Sequence, residues 1–207
     1  MIGSLTTLKP SASLPDGLAQ LWKHPQVRSE LLELFDLLPD RVDHLHAGLN
    51  TASVPLAVHA RYTRTEILAA FDVGSGVKPI TWQSGVWWDE KSQTDLFAFT
   101  LDKSAGSFSP TTRYRDYAIS PELIHWESQS ATSLDSDTGR RYIRQAEQKT
   151  NVVLFGRLST ADRAFWCLGP ATYVTHEPER ERPIAITWRL DHRMSGDLFA
   201  EFAAAVA

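Results

Sequence analysis

From Leu18 to Leu49 the apolar residues Leu21, Val27, Leu31, Leu34, Phe35 and Leu38 recur mainly at intervals of three and four, the spacing of one helix face. Pro25 and Pro39 interrupt that pattern, because a proline ring lacks the amide and clashes with the preceding turn. The stretch therefore predicts short helices in a small N-terminal annex, preceded by a Ser-, Thr- and Pro-rich tail from Met1 to Leu14 and the punctuation Pro15-Asp16-Gly17. Thr63-Arg64-Thr65-Glu66 has the form of a capping box ahead of the apolar Ile67-Leu68-Ala69-Ala70-Phe71, and Gly74 and Gly76 predict the stop.

Beyond that helix the texture changes. Val77 to Trp88, Asp95 to Leu101, Ile124 to Thr132, Val152 to Leu158, Ala164 to His176 and Ile184 to Leu190 are β-branched or aromatic runs bounded by turn residues, and each predicts a strand. Gly139 to Gln148 reads as a helix inserted between strands, and Ser195 as the cap of a last helix from Asp197 to Val206. The expected organisation is a tail and helical linker over 1–50 and an α+β domain over 51–207, its sheet mainly antiparallel and barrel-like. Trp82, Trp87, Trp88, Trp166 and Trp188 lie in these runs and are assigned mostly to the core.

Composition narrows the class without naming a function. With 43% hydrophobic and 22% charged residues in 207, the chain can fill a core and needs no disordered reading. Its net charge of -4 speaks against a broad nucleic-acid surface. The charge is uneven, however: residues 51–190 hold 16 Lys/Arg against 16 Asp/Glu and the ends 5 against 9, so the middle can still present a local basic stripe. The single cysteine, Cys167, excludes an intramolecular disulfide or a multi-cysteine zinc site and points to the cytoplasm. No leader pattern opens the chain and no run approaches the ~20 apolar residues of a membrane span.

The motifs of several enzyme classes are missing. There is no Gly-rich phosphate loop ending in Gly-Lys-Ser/Thr, no His-Glu-x-x-His and no Gly-x-Ser-x-Gly turn. One spacing tempts a nuclease reading: Asp137 with Glu147-Gln148-Lys149, the Asp and Glu-x-Lys that metal-dependent nucleases use to hold Mg²⁺ and poise a water. The alternative is an exposed helix end of common residue types. No cofactor, no metal and no catalytic residue is expected.

The chemistry-bearing residues concentrate in Phe108-Ser109-Pro110-Thr111-Thr112-Arg113-Tyr114-Arg115-Asp116-Tyr117 and in His125-Trp126-Glu127-Ser128-Gln129-Ser130. Of these, Phe108-Ser109-Pro110-Thr111-Thr112 and His125-Trp126-Glu127-Ser128-Gln129-Ser130, together with His59-Ala60-Arg61-Tyr62-Thr63-Arg64, Thr138-Gly139-Arg140-Arg141-Tyr142, Leu168-Gly169-Pro170-Ala171 and Pro183-Ile184-Ala185-Ile186-Thr187-Trp188, form an ordered set spanning about residues 51 to 192. This set resembles the modified-cytosine recognition domain at the C-terminal end of SauUSI-like type IV restriction ATPases, whose other domains are a phospholipase-D-like nuclease and a superfamily-two helicase. The resemblance implies an SRA/PUA-like fold and a specificity module that binds double-stranded DNA containing 5-methylcytosine or 5-hydroxymethylcytosine. It implies nuclease and helicase domains as partners in cis or in trans, and no membrane. The motifs of those two domains are missing here, so cleavage and ATP hydrolysis are not expected of this chain.

Readers of that group rotate the nucleotide out of the duplex into a pocket. Under that mechanism Tyr62, Tyr114, Tyr117 and Trp126 are the candidate aromatic walls, each with core packing as its alternative. Asp116 is the candidate acceptor for the cytosine amino group, its alternative being a salt bridge or a turn cap. Gln129 joins the pocket because His125, Glu127 and Gln129 alternate on one face of the expected strand, opposite Trp126 and Ser128. Arg61, Arg64, Ser109, Thr111, Thr112, Arg113, Arg115, Arg140 and Arg141 are the candidate phosphate contacts, with Lys149 assisting and Arg140-Arg141 foremost. Two other functions stay open: a nuclease built on Asp137, Glu147 and Lys149, and a docking module that couples a motor to a partner without reading bases.

Overall fold

The computed structural model describes residues 14–37, 54–73, 81–101 and 116–205. Eight strands and six helices lie in them. The strands are β1 (Arg61–Thr63), β2 (Val86–Asp89), β3 (Thr94–Thr100), β4 (Tyr117–Ser120), β5 (Leu123–Glu127), β6 (Asn151–Arg157), β7 (Ala164–Glu181) and β8 (Ile184–Leu190). The helices are α1 (Leu14–Trp22), α2 (Pro25–Leu37), α3 (Arg64–Ala70), α4 (Asp137–Ile143), α5 (Gln145–Gln148) and α6 (Gly196–Ala204). None of them is long and apolar enough to cross a membrane.

All strands join one sheet in the order β2-β3-β6-β7-β8-β5-β4, with β1 pairing on β7. Every pairing is antiparallel except β3 with β6. That parallel pair is buried on both faces, in keeping with the unbroken apolar runs Leu96–Phe99 and Val152–Phe155. The expected barrel is corrected here: β2 and β4 end the path without pairing to each other, so the sheet of the described residues is α+β and open.

The sheet nevertheless curls. Phe97 on β3 stacks on Trp126 of β5, ring centres 4.2 Å apart, although these strands are not neighbours in the sheet. One core therefore lies between the two halves, filled by Phe97, Phe99 and Leu154 from one and Ile124, Trp126, Ile186 and Trp188 from the other, with Tyr142 of α4 and Phe202 of α6. A second core lies on the opposite face of the first half, where Ile67 and Leu68 of α3 meet Val153, Phe155 and Phe165.

The long β7 serves both halves, and its bend is local. Leu154 pairs with Gly169 but Phe155 with Cys167, so Leu168 is an extra residue, and Gly169 has φ +88°. A side chain there would be strained, and its Cβ would lie 3.0 Å from Val58.

Two helix caps form as expected, while Pro39, Gly74, Gly76 and the first residues of the Val77–Trp88 run lie outside the described residues. Thr63 and Glu66 close the capping box on α3, and the Ser195 hydroxyl accepts the Leu198 amide at the start of α6. Pro25 opens α2 rather than merely ending α1, the position where its missing amide costs nothing. The expected strands were imprecise at their ends: β5 stops at Glu127, short of Thr132, and β7 runs on past His176 to Glu181.

Candidate functional site

Alternation along β5 sends Ile124 and Trp126 into the core and His125 and Glu127 to the other face. On β4, Tyr117 stands opposite His125 in register, and the two rings stack with centres 4.6 Å apart and planes 23° from parallel. Tyr117 is 38% exposed and His125 only 6%, so the phenol covers the imidazole and offers an aromatic surface outward. Thr187 of β8 lies beside His125 on the same face.

Two buried carboxylates flank this stack. Asp116 accepts the Glu127 backbone amide at 3.0 Å, pinning the start of β4 to the end of β5. Glu127 takes an ion pair from Arg180, which reaches over from the extended end of β7. Burial holds the His125 imidazole below its ordinary value, opposed by Glu177, Glu127 and Asp116 and assisted by Arg180. At neutral pH the site therefore presents a neutral imidazole backing a phenol ring, with carboxylate acceptors at its edge. That combination can stack a flat heterocycle on the outer phenol face, while Asp116 and Glu127, each 4% exposed, are held by the Glu127 amide and by Arg180.

The other expected pocket residues have different places. Trp126 is 3% exposed and stacked on Phe97, with Tyr142 edge-on at 5.6 Å; it is a core residue and cannot wall an external pocket. Tyr62 is half-buried, packs against the second core, and its hydroxyl accepts the Ala57 amide at 3.0 Å. Burial raises its pKa. It lies on β1, which pairs only with β7, away from the Tyr117 strand. Gln129 follows the end of β5 and is not part of its alternation. Ser109, Thr111, Thr112, Arg113, Tyr114 and Arg115 lie outside the described residues.

The arginines fall into two groups. Arg141 of α4 grips the fully buried Asp95 with two hydrogen bonds, 2.7 and 2.8 Å, and lies 4.0 Å over the Trp88 ring. Those hydrogen bonds raise its pKa, while burial pushes Asp95 upward and the Arg141 fork opposes it. Arg140 pairs with Asp137 and donates to the Asp135 carbonyl. The expectation that Arg140-Arg141 leads the phosphate contacts is thus corrected for Arg141, whose donors are spent on a structural ion pair. The helix can carry it so close because Gly139 lacks a side chain; a Cβ there would lie 2.0 Å from the Ser133 carbonyl oxygen.

The second group surrounds the β6–β7 turn. Arg61 of β1 lies 5.4 Å over Trp166 and 3.4 Å from Asp162. Arg64, the first residue of α3, and Arg157, the last of β6, sit 5.3 and 4.6 Å from the same Phe165 ring. Arg157 was not singled out from sequence; its nearest signal is its place at the polar end of an apolar strand.

Among the described residues no group of three or more His, Cys, Asp or Glu side chains is arranged to hold a metal ion. Asp137 and Glu147 of the nuclease reading are exposed and face Arg140 and Arg144. Cys167 is buried, and burial pushes its thiol up to about 12, far from a reactive thiolate.

Residues 56–202 match the domain of unknown function DUF3427, and the chain belongs to that family. Helices α1 and α2 precede the matched stretch. No curated protein matches the chain.

Proposed function

We propose that this chain is a non-catalytic DNA-recognition module that reads 5-methylcytosine or 5-hydroxymethylcytosine by flipping the base onto the Tyr117–His125 stack. The observation that carries this reading is the exposed Tyr117 ring, backed by a buried imidazole and bordered by Asp116 and Glu127. Its assignment to the SRA/PUA group is part of the proposal and is supported by the curled, mainly antiparallel sheet. So are its place as the specificity module of a type IV restriction system with helicase and nuclease partners, which rests on the motif resemblance, and its cytoplasmic address, which rests on the single cysteine.

The energetics suit such a platform. Flipping costs a few kcal/mol, and stacking on one aromatic ring returns about 1–3 kcal/mol. A carboxylate acceptor facing N4 selects cytosine over thymine, which has a carbonyl there. The methyl group adds only ~0.8 kcal/mol by burial. Shape around the ring must therefore supply the rest of the discrimination.

The test is binding of the chain to three matched duplexes carrying cytosine, 5-methylcytosine or 5-hydroxymethylcytosine at one site. A preference of about tenfold or more for a modified duplex is expected, worth ~1.4 kcal/mol. Tyr117→Ala, folded because the ring is outside the core, should abolish it. Equal affinity for all three would sink base reading, and no DNA binding at all would leave the docking module.

A further inference from the structure

Arg64 is a guanidinium without a counter-charge. Among the described residues it has no ion pair and no side-chain hydrogen bond, and its Nε is buried without a partner. Its contacts are aromatic: its Cζ lies 5.5 Å from the Trp82 ring centre and 5.3 Å from that of Phe165. The neighbouring charge it feels is of its own sign, from Arg157, and burial together with that repulsion holds its pKa below the ordinary arginine value. Glu66, the nearest carboxylate in sequence, is spent on the Thr63 amide and hydroxyl in the capping box.

Arg157 is only partly compensated. Its Nε donates to Thr100 and its Nη1 to the Asp162 carbonyl, both neutral acceptors, and burial lowers its pKa too. Among the described residues Asp162 is the one carboxylate of the cluster. It lies 3.4 Å from Arg61 and also accepts the Ser159 amide. Among the described residues three guanidinium groups thus share one carboxylate, in a chain whose net charge is -4. Arg64 and Arg157 are half-buried, so water screens them less than it would surface arginines, and a guanidinium fork is the group best matched to the paired oxygens of a phosphoryl anion.

We propose that Arg64 and Arg157, with Arg61 at the rim, form a binding site for a phosphoryl anion at the β6–β7 turn. That the anion is a DNA backbone phosphate rests on the DNA-recognition reading above; the site itself does not. It is separate from the Tyr117 platform, and its contribution is indifferent to base identity.

The experiment compares the full chain with Arg64→Gln and Arg157→Gln, and with Arg144→Gln as an exposed control, all checked for fold by circular dichroism. Duplex affinity is measured across salt concentrations, and thermal midpoints in inorganic phosphate against chloride at equal ionic strength. Each of the first two substitutions should weaken modified and unmodified duplexes alike by about tenfold at low salt and reduce the salt slope by about one. Phosphate should raise the midpoint of the unaltered chain and not theirs. Should a Gln variant not fold, Arg64→Lys keeps the charge and loses the fork, and should retain the slope while losing affinity.

If duplex binding is unmoved but the phosphate effect is lost in the variants, the anion site stands and its occupant is a free phosphoryl compound. A fall in slope without any modified-base preference in the unaltered chain would sink base reading and leave the site. Unchanged duplex affinity together with no phosphate effect overturns it.

Discussion

Arg140 and Arg141 are adjacent in sequence after a glycine, while Arg61, Arg64 and Arg157 are scattered over three elements. By sequence the first pair looks like the phosphate clamp. In the fold Arg141 meets the buried Asp95 fork to fork and Arg140 meets Asp137, whereas among the described residues the scattered three have Asp162 alone between them. The same residue type is structural in one region and short of counter-charge in the other. The difference lies in the carboxylates, and those that decide it are distant in sequence: Asp95 is 46 residues from Arg141 and Asp162 is 101 from Arg61.

The largest effect should come from breaking the satisfied pair. Arg141→Ala strands Asp95 in the interior and should cost about 3–5 kcal/mol, measured by urea unfolding. Duplex affinity of the folded fraction should not change. A loss of duplex binding with stability intact would reverse the comparison and make Arg141 the clamp.

A smaller effect is expected at the unsatisfied group. Asp162→Asn removes its carboxylate and should tighten duplex binding by roughly threefold to fivefold at low salt, an advantage that fades as salt screens it. Weaker binding instead would show that Asp162 positions Arg61 and Arg157 more than it neutralises them. Arg144→Gln, whose exposed guanidinium lies 4.0 Å from Glu147, should do least. An exposed pair contributes about 0–1 kcal/mol, so stability should move within that range and the duplex salt slope not at all.

The aromatic residues repeat the lesson. Alternation told from sequence that His125 and Trp126 point to opposite faces of one strand. It could not tell which face the other half of the sheet would cover. Phe97 lands on Trp126, and the expected wall becomes core; Tyr117 falls opposite His125 and remains exposed. The platform's charged edge was equally hidden, because Arg180 reaches Glu127 only where β7 runs on past His176.

By itself the sequence determined the local structure: the strand-forming runs, the Thr63–Glu66 and Ser195 caps and the helix break at Pro25. These depend on neighbours a few residues apart, whose side chains and amides act on one another whatever the rest of the chain does. The three- and four-residue β1 and β4 were beyond it, since strands so short exist only by pairing with β7 and β5. Only the tertiary structure decided that the sheet stays open, which face of β5 is core, and which arginines find a carboxylate. Each of those is a contact between distant segments, and burial and ion pairing act through space rather than along the chain.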